Sequence, residues 1–315
     1  MLRTAFCPII RAALDSPDTI EVMANADGGI WIETAGKGVS KADLTVSAED
    51  RERVIRLVAS GAIAKADHTS PIVSAELPET GERFEGCLPP VSTAPCFSIR
   101  KPATTPFSLS DYVQQGALSP PLHDALLKAA AARDNIVIAG GTSSGKTTFT
   151  NALLADPVFE DDRILILEDT RELRCQAPNA LALRTQAGRV TLKDLVRSTL
   201  RLRPDRIIVG EVRGAEALDL LKAWNTGHPG GITTLHAGSA KAALTRIEQL
   251  CLEAMPHPPS DLIAEAVDVI LYMDRGGGQR RVVEALRVTG FDGQSYLTEP
   301  LIGGQLSLVT QGDMK

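Results

Sequence analysis

The chain has 315 residues, 43% apolar, 23% charged and 4% aromatic, with a formal net charge of −6. That length suits two domains with real cores, and the acidic balance argues against direct nucleic-acid binding through bulk charge. There is no apolar run of about eighteen residues, and the five cysteines (Cys7, Cys87, Cys96, Cys175, Cys251) form no C-x-x-C pair; this argues against a membrane-spanning helix, a disulfide framework and a structural zinc site, and suits a reducing, cytoplasmic setting.

Residues 1–101 read as a smaller N-terminal α+β domain. The first eleven residues are basic and apolar, with Pro8 between Arg3 and Arg11, and suit an amphipathic element better than a signal peptide. Ile20–Met23 and Ile30–Glu33 are strand-like runs joined through an Asp27-Gly28 hairpin turn. Ser47 with Asp50 three residues on marks a helix start. Val54, Ile55 and Val58 form its apolar stripe, flanked by Arg51, Arg53 and Arg56. Strands are expected at 72–77, 83–88 and 96–100, punctuated by prolines. Residues 102–120, with Pro102, Pro106 and Pro120 among Ser and Thr, read as a linker holding a short helical turn.

Residues 121–315 carry the chemistry. Ser119 and Pro120 open a helix that ends near Arg133. Ile136–Ala139 is a short apolar run of the kind that makes a strand buried on both faces. It leads into Gly140-Gly141-Thr142-Ser143-Ser144-Gly145-Lys146-Thr147, which fits G-x-x-x-x-G-K-[ST]. The outer glycines let successive N–H groups point into one concavity for phosphate oxygens. Lys146 suits the β- and γ-phosphates, Thr147 suits Mg²⁺, and Thr148 continues into a helix whose positive end faces the anion. The expected ligand is ATP with Mg²⁺.

A second buried strand, Arg163–Leu167, delivers Glu168 and Asp169, followed by Arg171 and Glu172, to the ligand edge of a parallel sheet. Seven basic residues between Arg184 and Arg206 suit either a solvated face or a grip on a partner. A third strand, Pro204–Val209, ends in Gly210-Glu211, and Glu211 is the candidate for orienting the attacking water. Between Thr226 and Gly238 lie His228 and His236 with paired threonines. Their separation makes a poor zinc site, and His236 fits better as a hydrogen-bonding sensor of the γ-phosphate. A hairpin is expected around Gly276-Gly277-Gly278, and the last forty residues carry no chemistry that the sequence identifies.

Four segments thus stand in order: Gly140 to Thr147, Glu168-Asp169-Thr170-Arg171-Glu172, Gly210-Glu211-Val212-Arg213-Gly214, and Gly227-His228 to Leu235-His236. This order resembles the Walker A, Asp box, Walker B and His box of the secretion ATPase superfamily that serves type II and type IV secretion and type IV pili. The absence of two C-x-x-C pairs moves weight from the type II members toward the conjugal-transfer branch. The resemblance covers nearly the whole chain. It implies a RecA-like P-loop ATPase domain behind the α+β domain, and a homo-oligomer, a hexameric ring at the cytoplasmic face of the inner membrane. It also implies contact with other type IV secretion components and peripheral contact with the membrane. ATP hydrolysis would power channel assembly or substrate transfer, with a pilus or type II motor, or a ring scaffold that barely hydrolyses, as the rivals. Matching positions assign phosphate-neutralising roles to Arg83 and Arg100. The Walker B stretch has Gly-Glu where many motors have Asp-Glu, which leaves Mg²⁺ to Thr147 with Glu168 or Glu172.

Overall fold

The computed structural model describes residues 2–303 apart from 63, 78–79, 102–106, 187 and 277–278, and divides the chain into two units, Met1–Thr105 and Pro106–Lys315. The first unit holds helices α1 (Leu2–Ala5) and α2 (Pro8–Asp15), strands β1 (Thr19–Ala24), β2 (Gly29–Thr34) and β3 (Gly38–Thr45), helix α3 (Ala48–Gly61), then β4 (Ile72–Glu76), β5 (Arg83–Cys87) and β6 (Cys96–Arg100). Its antiparallel sheet has the order β3-β2-β1-β6-β5-β4.

Ser47 caps α3 by accepting from the Asp50 amide at 3.1 Å. Val54, Ile55 and Val58 bury against Phe84, Phe97 and Ile99. Gly86 is what lets the helix come so close: a Cβ there would stand 2.9 Å from Ile55 Cγ1. Arg51, which flanks the apolar stripe in the sequence, belongs to the interior. It is buried and donates to the carbonyls of Ala26, Val46 and Pro95, drawing three loops together. A buried guanidinium persists because its donors are used.

The second unit contains α4 (Leu109–Gln114), α5 (Pro120–Ala131), β7 (Ile136–Gly140), α6 (Lys146–Leu154), β8 (Ile164–Glu168), β9 (Ala180–Arg184), α7 (Leu192–Thr199), β10 (Arg206–Val209) and α8 (Glu216–Asn225). It continues with β11 (Ile232–Leu235), α9 (Ala240–Cys251), α10 (Ser260–Ala266), β12 (Val269–Gly276), β13 (Gln279–Phe291) and β14 (Tyr296–Pro300). The sheet order is β14-β13-β12-β7-β11-β10-β8-β9. From β12 to β9 every neighbouring pair is parallel, and β13 and β14 add an antiparallel flank.

Alternate residues of each strand point to opposite faces. Val137, Ala139, Ile207, Val209 and Leu235 pack against α7, α8, α9 and α10, while Ile136, Ile138, Ile166, Ile208 and Met273 pack against α5 and α6. With helices on both faces, strands β7, β8, β10 and β11 are buried throughout, as the continuous apolar runs predict.

Of the stretch read as linker, 102–106 lie outside the described residues. The rest folds: Leu109, Tyr112, Ala117 and Leu118 are buried in the core of the second unit, and the Tyr112 ring meets Phe149 of α6 edge-on at 5.1 Å. The short helical turn expected inside that stretch is α4, which Ser108 and Asp111 cap reciprocally. Gly277 and Gly278 of the expected hairpin turn lie outside the described residues, but β12 and β13 pair on either side of them. The basic run from Arg184 to Arg206 is not one wet face either. Arg206 is buried on Asp162, and Arg197 pairs with Asp219 at 3.0 Å.

Candidate functional site

Because β7, β11, β10 and β8 run in parallel, their carboxyl ends share one edge of the sheet. From that edge leave the loop Gly140–Gly145, the turn that starts at Gly210, the segment after Leu235 and the segment after Glu168. Glu168 and Glu211 therefore stand on the same edge as Lys146. One strand, β11, separates β7 from β10, so Glu211 approaches the loop from across a strand's width, about 5 Å per strand step.

The loop is held in a conformation that most residues avoid. Ser143 has φ 60° and Gly145 φ 97°, and only glycine takes the latter without strain. Gly140 lies so close to β12 that a Cβ would meet the Met273 carbonyl at 2.5 Å and Ser144 Oγ at 2.6 Å. Gly141, Thr142 and Ser143 are exposed, Ser144 and Lys146 are buried, and Gly145, Thr147 and Thr148 are half-buried at the start of α6.

Lys146 Nζ donates to the carbonyls of Gly140 at 3.0 Å and Gly141 at 2.9 Å and lies 3.4 Å from His236 Nδ1. Burial pushes its ammonium below the ordinary lysine range against the opposing pull of Glu211. Ser144 Oγ is buried without a hydrogen-bond partner, and such a hydroxyl beside a lysine and a helix N-terminus fits an anion.

Glu211 sits between an imidazole and a guanidinium. His236 Nε2 lies 2.9 Å from its Oε1, and Arg213 donates to its Oε2 at 2.6 Å. The imidazole thus spans the two charges, Nε2 toward the Glu211 carboxylate and Nδ1 toward the Lys146 ammonium. Burial and the neighbouring Lys146 ammonium hold His236 below its ordinary value of 6.5, with Glu211 pulling the other way.

The turn after Gly210 is pinned on both sides: Thr234 donates to the Gly210 carbonyl at 2.7 Å, and Glu216 Oε1 accepts from the amides of Arg213 and Gly214. Glu168 is buried and its Oε1 accepts from the Glu172 and Leu173 amides at 2.9 and 2.8 Å, while the Glu172 carbonyl takes a bond from Asn151. Among the described residues no cluster of three metal-ligating side chains is preformed. The donors present at the edge, hydroxyl and carboxylate oxygens, fit Mg²⁺, which takes few protein ligands and keeps phosphate and water oxygens.

Other expected residues stand elsewhere. His228 lies at the opposite end of β11 from His236, with Nδ1 3.1 Å from the Pro204 carbonyl, so the two histidines share no site. Arg83 and Arg100 face each other across β5 and β6 in the first unit.

Two residues escape the sequence reading. Arg213 belongs to the quoted Walker B stretch, but only the fold turns it onto Glu211. Arg280, near the start of β13, lays its side-chain stem over the phosphate loop, where a Cβ on Gly145 would meet its Cδ at 2.9 Å. No spacing in the sequence links positions 145 and 280.

Residues 6–275 match the family described as type II/IV secretion system protein. The chain belongs to that family. This type II/IV secretion system protein is 48% identical, over 91% of its length and 89% of the relative's, to the conjugal transfer protein TrbB of Rhizobium radiobacter. It is 33% identical, over 73% of its length and 77% of the relative's, to the type IV secretion system protein VirB11 of Bartonella henselae. Among solved structures, the Legionella pneumophila ATPase DotB superposes with a TM-score of 0.63 at 22% identity, covering 90% of this chain and 81% of that one. That likeness speaks to fold, and it agrees with the larger α/β unit and smaller N-terminal unit of this family member.

Proposed function

We propose that the protein is an ATP hydrolase that powers assembly of, or substrate transfer through, a conjugative type IV secretion system. One observation carries this reading: the strained phosphate loop with Lys146, and Glu211 with His236, converge on one sheet edge.

Lys146 and the loop amides bind the β- and γ-phosphates. Thr147, with Glu168 or Glu172, would hold Mg²⁺, which when bound neutralises charge on the phosphate oxygens. Glu211, oriented by Arg213 and His236, positions the attacking water and accepts its proton. His236 bridges Glu211 and Lys146, so a γ-phosphate that draws Lys146 away from Nδ1 is felt at the acid that handles water. Arg280 adds a cation at Gly145. Arg83 and Arg100 act from the N-terminal domain on the phosphates, as guanidinium groups do in other nucleotide hydrolases. Nucleotide-dependent shifts between the N-terminal domain and the ATPase domain would then be the stroke. Family resemblance supports a six-membered ring, contact with other secretion components, and a peripheral position at the cytoplasmic face of the inner membrane.

Phosphate release is the test, measured for the intact protein and for Glu211→Gln, alongside mass in solution with and without ATP and Mg²⁺. The reading expects Mg²⁺-dependent turnover that Glu211→Gln removes while ATP binding persists. Equal, negligible rates in both proteins would favour a nucleotide-gated scaffold.

A further inference from the structure

Cys87 closes β5, Cys96 opens β6, and the antiparallel register sets them directly opposite each other. Both are free and half-buried. Opposed residues in such a pair have Cα atoms about 4.5–5.5 Å apart, inside the roughly 4.4–6.8 Å that a disulfide spans. Burial, with Cys96 and Glu85 close by, pushes the Cys87 thiol up.

Strand alternation puts Cys87 and Cys96 on the same sheet face as Glu85, Ser98, Arg83 and Arg100, while Phe84, Phe97 and Ile99 bury on the other. The hairpin thus carries two facing cysteines at its loop end and two facing arginines at its other end. Sequence spacing conceals the pair, since eight residues separate the two cysteines.

We propose that Cys87 and Cys96 form a modification site, a thiol pair that a hydroperoxide converts to a cross-strand disulfide clipping the β5–β6 hairpin. The Cys96 thiolate attacks a peroxide oxygen, the O–O bond breaks, and the departing hydroxide takes up a proton as water, leaving Cys96 as a sulfenic acid. The Cys87 sulfur then attacks the Cys96 sulfur. The S–O bond breaks, and hydroxide leaves with the Cys87 proton as a second water. Two thiols lose two electrons and one hydrogen peroxide is reduced to two waters. Intracellular disulfides of this kind are transient and sensing, not structural.

The bond closes a ring around residues 88–95, where Ser92 already donates to the carbonyls of Cys87 and Ala94. Resting on the reading of Arg83 and Arg100 as phosphate cations, the clip fixes the twist of the two strands that present them and slows ATP turnover.

The test treats the full-length protein with hydrogen peroxide, blocks remaining thiols and maps linked peptides by mass. The expected product is an intramolecular Cys87–Cys96 link that a thiol reductant reverses and that Cys87→Ser and Cys96→Ser lack, with both variants melting like the parent. Finding both cysteines blocked as free thiols, driven to sulfinic acid, or linked to other cysteines overturns the proposal. Turnover of the oxidised protein is expected to fall several-fold and to recover on reduction, with Cys87→Ser indifferent to peroxide. Reduced Arg83→Ala and Arg100→Ala proteins are assayed in parallel. If these turn over like the parent, the arginine reading fails while a mapped disulfide stands. If they are slow and the mapped disulfide leaves turnover unchanged, the effect of the clip on the arginines is overturned.

Discussion

His228 and His236 stand at the two ends of the four-residue strand β11, and the edges they occupy are built on opposite plans. At the amino edge, charge is buried and matched. Asp162 accepts from Arg133 and Arg206, and the Arg206 guanidinium lies 4.8 Å from the Phe159 ring. Asn135 donates to Ala266, accepts from the Gly231 amide and, through its own amide, reaches Asp268.

At the carboxyl edge the partners are looser. Lys146 rests on two loop carbonyls, His236 is half exposed, and Glu211 is shared between an imidazole and a guanidinium. The contrast teaches that a charge matched in the interior locks strands in register. A charge held loosely at an edge stays free to exchange its partner for a phosphate.

If the amino edge is the lock, Asp162→Ala gives the largest effect, about 3–5 kcal/mol of stability lost because Arg206 is left buried and uncompensated. Chemical denaturation measures it, and an unchanged midpoint breaks the comparison at its root. The fraction that stays folded keeps its KM for ATP. Next, Glu211→Gln lowers kcat by at least about a hundredfold with ATP affinity retained; a loss of binding instead would move Glu211 from chemistry to fold. Arg280→Ala weakens ATP binding by about tenfold, the worth of one charged hydrogen bond, in equilibrium titration, and Arg280→Lys recovers part of it.

His228→Ala costs about 1 kcal/mol, one hydrogen bond, and leaves turnover untouched. His236→Gln sharpens the contrast through pH. His236 titrates lower in the fold than in the unfolded chain, so on acidification the unfolded chain takes the proton first. This makes the folded form lose stability as pH falls from 6.5 through the folded value, and the effect is absent above 6.5. Turnover should fall over the same acid limb, and the glutamine variant should lack it.

Much of the carboxyl edge is legible in the chain, because a phosphate loop needs glycines at fixed offsets and a buried parallel strand needs an unbroken apolar run. Gly140, Gly145, Lys146, Glu211 and His236 follow from those rules. What stays hidden is set by tertiary pairing. Arg206 reads as one more base in a basic run, and only Asp162, brought beside it by the β8 and β10 pairing, makes it internal. Arg280 and Gly145 meet because β12 pairs with β7. Strand β3 carries charged or small residues and few large apolar ones, which suits an edge position and gives periodicity little to grip. Helix α4 is legible as a short turn, but its burial in the core of the second unit, where Leu109 and Tyr112 lie, is not.

The Arg51 guanidinium of the first unit has a consequence for how that unit tolerates change. It gathers carbonyls from positions 26, 46 and 95, which belong to three separate connections. Grafting a longer loop at any one of them displaces an acceptor that the other two cannot replace. The three connections therefore behave as a single heritable part, and insertions are better accepted at Gly36 or Gly116, where the chain turns in open space.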